Sequence, residues 1–377
     1  MSARHLLAIE TSCDETSAAV LRDDRCVLSN VVLSQDEVHA PYGGVVPELA
    51  SRRHLEAVTP VVRESLKTAG VPLDEMDFFA VTQGPGLIGS LLVGLSFAKG
   101  LAFYHRKPVL GIDHVQAHIE SAFLEKPDLP FPALALVVSG GHTSLFLLKK
   151  KLHYRAVGRT RDDAAGEALD KIAKFLDLGY PGGPVIQRLA QNGDPGRFPF
   201  ALPRMSDRSL DFSFSGLKTA AIKHVREHNL GRESSALPDF LAGFESAVVR
   251  ALLGNAVRAV DAFHPRSLVL CGGVARNARL RAAFEKTAGE KGLPFALPSP
   301  KLCTDNAAMI GALAWEKIKA KKGKMPLSCD LDAYPRSPRP CPVSGVFCQN
   351  IRGNRMFPAK INRQCKTRIP PERLPVI

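Results

Sequence analysis

Apolar and polar positions fall in blocks along the first 33 residues. Leu6-Leu7-Ala8-Ile9 is a short apolar run. A polar stretch over 10–17 follows, then Ala18-Ala19-Val20-Leu21, a charged turn, and a third run over 26–33. This reads as strand, polar turn, strand, turn, strand. The same order returns at 134–138, the turn 139–144, 145–148 and 154–158. Two such units, roughly 130 residues apart, predict a duplicated α/β domain.

Between the units the period changes to that of a helix. Leu55, Val58, Val62 and Leu66 predict a helix over 52–69, stopped by Gly70 and Pro72. A buried strand is expected over 78–81, running into Gly84-Pro85-Gly86, with a helix over 90–103 behind it. Gly94, Ser96 and Ala98 on that helix permit close packing. A strand over 109–112 leads into a helix over 114–123. In the second half helices are expected over 164–176, 238–263 and 305–321, and from about 275, with a strand over 267–271. The stretch 179–217, rich in Gly and Pro, reads as loop. The pattern therefore predicts one unit over 1–130 and a second over 131–332.

Beyond 332 the composition changes. Residues 333–377 hold eight prolines and nine Lys/Arg against one Glu, with no sustained period. They read as a basic, Pro-rich tail outside the core. Most of the chain's net charge of +13 sits there and in the Lys-rich stretch before it. A basic end can serve RNA phosphates by counterion release, and a solvated tail has the same composition. The eight cysteines include no CxxC pair, so neither a thiolate zinc site nor a disulfide framework is indicated. No unbroken run of 18 apolar residues occurs and no signal peptide is visible, so the expectation is a cytoplasmic protein without a membrane span.

Three features carry chemistry. His114 and His118 stand at i and i+4 on a helix that follows a strand, which puts both imidazoles on one face within reach of one divalent ion. A third ligand must come from elsewhere, and Asp305, in Cys303-Thr304-Asp305-Asn306, is the candidate. As a helix N-cap it would have an ordinary structural role instead. A zincin-type site needs Glu directly after the first His, and Val115 stands there. Gly-rich turns follow strands at Ser139-Gly140-Gly141-His142-Thr143 and at Gly272-Gly273-Val274-Ala275-Arg276-Asn277. Such turns let backbone N–H groups approach phosphate oxygens. Glu10-Thr11-Ser12-Cys13-Asp14-Glu15-Thr16 occupies the matching turn of the first unit. Together they predict two lobes closing on a nucleotide.

One segment is more specific. Asp162-Asp163-Ala164-Ala165-Gly166-Glu167-Ala168-Leu169-Asp170-Lys171, followed by Tyr180-Pro181-Gly182-Gly183-Pro184, resembles the signature of the tRNA threonylcarbamoyladenosine transferases, the TsaD family. The resemblance continues in Tyr42-Gly43-Gly44-Val45-Val46-Pro47-Glu48, Gln83-Gly84-Pro85-Gly86, Asp211-Phe212-Ser213-Phe214-Ser215-Gly216-Leu217-Lys218 and the turns already named. It spans about residues 5–325 in order. It implies a duplicated actin/Hsp70-like (ASKHA) α/β fold with two lobes around a nucleotide cleft.

By the same resemblance, His114, His118 and Asp305 match the family's metal ligands. Iron(II) is the first choice of ion, with zinc or magnesium as alternatives. Val137, Val138, Ser139, Gly140, Gly141, Asp170, Gly183 and Asn277 match substrate-binding positions, and Asp14 matches an acidic residue of a phosphate-side loop. The implied reaction moves a threonylcarbamoyl group from threonylcarbamoyl-adenylate to the exocyclic amine of an adenosine beside the tRNA anticodon, releasing AMP. The implied partners are tRNA and smaller proteins of the TsaB and TsaE types. Two departures stand out. Gln116 replaces a Glu frequent between the family's histidines, and the last 37 or so residues match nothing in the family pattern. The main rival is an ATP-dependent small-molecule kinase of the same superfamily, in which the histidine pair would be idle. A non-catalytic nucleic-acid binder using the basic end is a second.

Overall fold

The computed structural model describes residues 3–202, 205, 207–327 and 330–336. The expected tail therefore lies outside the described residues from 337 onward.

The first unit opens with strands β1 (His5–Glu10), β2 (Glu15–Arg22) and β3 (Cys26–Ser34). A one-turn helix α1 (Asp36–His39) leads to α2 (Pro47–Ala69). Then come β4 (Met76–Gly84), α3 (Ile88–His105), β5 (Val109–Asp113) and α4 (His114–Glu125). The second unit repeats the opening with β6 (Ala133–Val138), β7 (Thr143–Leu148) and β8 (Tyr154–Arg159). Helices α5 (Ala165–Phe175), α6 (Gly182–Leu189), α7 (Ser215–Glu227) and α8 (Leu237–Phe263) follow. The chain continues through β9 (Ser267–Cys271), α9 (Ala278–Glu290), β10 (Phe295–Ala296), α10 (Pro300–Cys303) and α11 (Ala307–Ala320).

The duplication predicted from the apolar runs is visible in the sheets. One has the order β3-β2-β1-β4-β5 and the other β8-β7-β6-β9-β10. In each, an antiparallel meander is extended by two parallel strands beside its first strand. The parallel strands are nearly continuous apolar runs because helices cover both faces. Helices α4 and α11 share one buried cluster with residues of both sheets, Leu6 and Ala8 from β1 and Ala135 and Val137 from β6 among them. The metal-type histidines thus start a helix held from both sides.

Several expectations need correction. Helix α2 begins at Pro47, five residues before the predicted start, and carries Pro60 inside. The stretch expected to be loop contains α6, and Gly182 and Gly183 open it. A first-turn glycine pair hides a helix from propensity reasoning. The helix expected from 275 starts at Ala278, after a 3₁₀ turn, because Asn277 is its N-cap. Helices α3 and α8 have the length and mean hydropathy of membrane-crossing helices. Both pack within the fold: α8 buries 61% of its most apolar window, and α3 lies against β4 and α2. Finally, Ala333 packs against the apolar cluster of the first sheet, and Tyr334 N donates to Gln83 O at 3.1 Å. The start of the expected tail therefore belongs to the body.

Candidate metal and donor site

β5 ends at Asp113 and α4 starts at His114 without a loop. Asp113 accepts from Gln116 N at 2.9 Å and caps the helix. Since α4 leaves the C-terminal end of a parallel strand, its first residues face the crevice where α/β sheets hold ligands. His114 and His118, one turn apart, are buried, and their rings meet edge to face with centroids 4.7 Å apart.

Asp305 comes from the loop before α11. It is free for this role because its neighbour Asn306 caps that helix, accepting from Met309 N at 3.1 Å. Asp305 Oδ1 lies 3.5 Å from His114 Nε2 and 3.1 Å from His118 Nε2. The three ligand-type atoms fall within 4.8 Å of one another. Buried His118 makes no hydrogen bond through Nδ1, and its Nε2 faces only Asp305, out of hydrogen-bond alignment. A buried imidazole without hydrogen bonds is costly unless another partner takes its lone pair. Two imidazoles and a carboxylate converging on one point form a donor set that fits a divalent transition metal.

The other nitrogen of His114 is also held. Its Nδ1 stands 3.1 Å from both Glu10 Oε2 and Ser12 Oγ. Glu10, fully buried at the end of β1, also accepts from Ser12 N and the Thr82 hydroxyl. A carboxylate on the far nitrogen sets the tautomer so that Nε2 offers its lone pair. Burial works against charge on His114, but Asp305 and Glu10 outweigh it and raise its pKa to about 9. Burial likewise opposes the Asp305 charge, and the neighbouring imidazoles win, holding it well below the usual carboxylate range. Glu10 was named in the sequence only as the start of the 10–16 turn, with no role beside the histidines. Its signal was a lone carboxylate closing an apolar strand, which is ambiguous until the fold brings β1 beside α4.

The glycine turns gather around this point. His142 sits with its ring 5.8 Å from that of His114, so the turn after β6 borders the triad. Burial and the nearby imidazoles push the His142 pKa down to about 3, so it is neutral. Gly140 and Gly141 have open space where a Cβ would stand. Val137 and Val138 end β6 in the core, and Ser139 is buried beside them. A Cβ on Gly272 would lie 2.4 Å from Val138 O, which joins the second glycine turn to the first. Asn277 directs Oδ1 to Leu280 N and Nδ2 to Glu245, so its side chain is engaged within the protein.

Across from these, Asp14 accepts from the Tyr180 hydroxyl at 3.2 Å, linking the first unit's turn to the segment before α6. Asp170 accepts from Gly182 N at 2.8 Å. Burial foremost, with Asp14 and Glu167 adding, raises the Asp170 pKa to about 6. Gly183 has only Leu169 Cδ1, at 3.8 Å, near its missing Cβ. No activated nucleophile appears among the described residues near the triad. Burial above all pushes the Cys13 thiol far above its usual range.

Residues 26–312 match the model of the family TsaD, tRNA N6-adenosine threonylcarbamoyltransferase. A protein of that name from Geotalea uraniireducens is 51% identical over 305 residues, covering 81% of this chain and 89% of the relative. Another, from Syntrophobacter fumaroxidans, is 49% identical over 336 residues, covering 88% and 99%. Among solved structures, HypF of T. kodakarensis superposes with a TM-score of 0.57 at 15% identity, over 85% of this chain and 48% of its own. Component A of the (R)-2-hydroxyglutaryl-CoA dehydratase of Acidaminococcus fermentans gives 0.50 at 14%, over 84% and 99%. At such identities the likeness concerns the fold alone, the duplicated actin/Hsp70-like architecture that the family resemblance implied. By sequence match over most of its length, the chain belongs to the tRNA N6-adenosine threonylcarbamoyltransferase family.

Proposed function

We propose that this chain transfers a threonylcarbamoyl group from threonylcarbamoyl-adenylate to the exocyclic amine of the adenosine beside a tRNA anticodon, releasing AMP. The observation that carries the reading is the convergence of His114, His118 and Asp305 beside the glycine turn that holds His142. A kinase of the same fold would leave that triad without a task.

The donor is a mixed anhydride with a good leaving group, so the protein needs no covalent nucleophile. Its work is to bind, orient and exclude water. Gly140, Gly141 and Gly183, open where side chains would stand, let backbone N–H groups approach the adenylate. Asp170 holds the Gly182 amide in place, and Asp14 and Tyr180 hold the two sides of the cleft together. Val137, Val138, Ser139 and Asn277 complete the donor side in this reading. An ion on the triad, iron(II) first and zinc or magnesium next, would supply Lewis acidity toward donor oxygens. Neutral His142 is a hydrogen-bonding neighbour for the incoming amine.

We assign TsaB- and TsaE-type proteins as partners and the cytoplasm as the location. Leu55 on α2 and Leu92 on α3 are exposed and line one apolar groove, suited to a protein partner. The test supplies purified chain, partners, donor and tRNA, and analyses nucleosides from the digested tRNA. Threonylcarbamoyladenosine should appear, and should vanish with His118→Ala together with bound metal. Phosphorylation of sugars or acetate, without modified nucleoside, would overturn the reading.

A further inference from the structure

The end of the described chain runs as a strap over the first sheet. Lys99 Nζ donates to Leu331 O and Gln83 Nε2 to Asp332 O, both at 2.8 Å. The floor beneath is bare. A Cβ on Gly84 would stand 2.2 Å from Tyr334 O, and one on Gly111 would meet Gln83 Oε1 at 2.3 Å and Leu331 Cδ2 at 3.2 Å. Gly84 and Gly111 belong to the neighbouring strands β4 and β5. The φ of Gly84, +149°, is one that side chains rarely adopt. Two adjacent strands thus drop their side chains where the strap crosses.

The strap ends in a polar contact. The Tyr334 hydroxyl donates to Asp113 Oδ2 at 2.9 Å, while Asp113 Oδ1 accepts from Gln116 N at 2.9 Å. One carboxylate oxygen caps α4 and the other is held by the phenol. The next residue is His114.

We propose that Tyr334 is a positioning residue for the metal site: by fixing the carboxylate of Asp113, it sets the start of α4 and so places His114 and His118 opposite Asp305. The proposal rests on the reading of that triad as a metal site. The physics is that both imidazoles ride on one helix, so a shift at its first turn moves two of three ligands together. A carboxylate tied at one oxygen can rotate about its terminal torsion, which is broad. Tied at both, it cannot. A strap needed only to cover apolar surface would require Leu331 and Ala333 and not a phenol oxygen at hydrogen-bond distance. Ligand sets held by a loosened support lose affinity before they lose the fold.

The test uses the full-length chain and Co2+ alone as the probe. Tyr334→Phe keeps the ring and the strap and removes one hydroxyl. Co2+ affinity is measured by competition with a chromophoric chelator, and the visible absorption band of the bound ion reports ligand geometry. The expected result is a weakening of about three- to tenfold with an altered band, at an unchanged Tm. Asp113→Asn should weaken Co2+ binding similarly, and the double variant should lose little more, because both act through one contact. Wild-type affinity and an unchanged band in Tyr334→Phe would overturn the proposal, as would fully additive losses. If the wild-type chain takes up no Co2+, the metal reading fails first and the proposal falls with it.

Discussion

Metal binding to this site should displace a proton near neutral pH. Without an ion, His114 sits between Glu10 and Asp305, and their charges raise its pKa to about 9 against the effect of burial. An imidazolium has no lone pair for a metal, so its proton must leave first. At pH 7, removing a proton from a group about two units above the solution pH costs about 2.7 kcal/mol, or ~100-fold in affinity. Asp305 adds no slope there, because it is held ionised. Apparent affinity should therefore rise about tenfold per pH unit from about pH 7 and flatten near 9. The same shift has a consequence for the metal-free fold. A histidine raised from the ordinary 6.5 contributes stability that is full below about 6.5 and lost as pH rises through about 9, on the order of 3 kcal/mol. Calorimetric titration with Zn2+ at pH 7, in two buffers of different ionisation enthalpy, counts the protons released. Thermal melts of the metal-free chain across pH 6.5–9 check the stability arm. Affinity independent of pH, with equal heats in both buffers, would refute the placement of Glu10 and Asp305 around His114.

Four further outcomes follow from the structure. Glu10→Gln, measured at pH 8.5 to reduce the competing proton, should weaken metal binding about 10–100-fold through loss of His114 orientation; wild-type affinity by chelator competition would contradict this. Gly183→Val should fold with nearly unchanged Tm, since only Leu169 Cδ1 lies within 4 Å of the added carbon, yet lose calorimetric binding of a donor analogue. Gly182→Ala should instead cost about 1–3 kcal/mol in denaturant melts, because its Cβ would meet Asp170 Cα and Ala173 Cβ at 2.7 Å. Removing 337–377 should leave Tm unchanged and flatten the salt dependence of tRNA binding, whereas removing 328–377 also takes away Leu331, Ala333 and Tyr334 and should lower Tm; equal melting of the two truncations would refute the docking of the strap.

Local pattern determined a good deal here. The two strand–turn–strand units are legible because apolar runs of four to eight residues bounded by polar turns have few other readings, and their recurrence announced the duplicated sheets. The i, i+4 spacing of His114 and His118 places both on one face of their helix, since helical geometry alone requires it. The loop-to-helix position of Asp305 made it the candidate third ligand, nearly two hundred residues away in sequence, and the family resemblance matched it. What local pattern could not contain was the company these residues keep. Whether Asp305 caps α11 or faces the histidines depended on Asn306 taking the cap, a competition between neighbours that only the packed loop resolves. Glu10 became a partner of His114 because β1, β4 and β5 lie side by side, which is a property of strand order and not of any one strand. Helix α6 was lost to its opening glycines, whose low intrinsic propensity is offset by tertiary contacts of the close-packed Gly182. The hold of Tyr334 on Asp113 joins residues over two hundred positions apart through two bare glycines. Periodicity reports which face of an element is buried; which polar atoms meet there is decided when the elements pack.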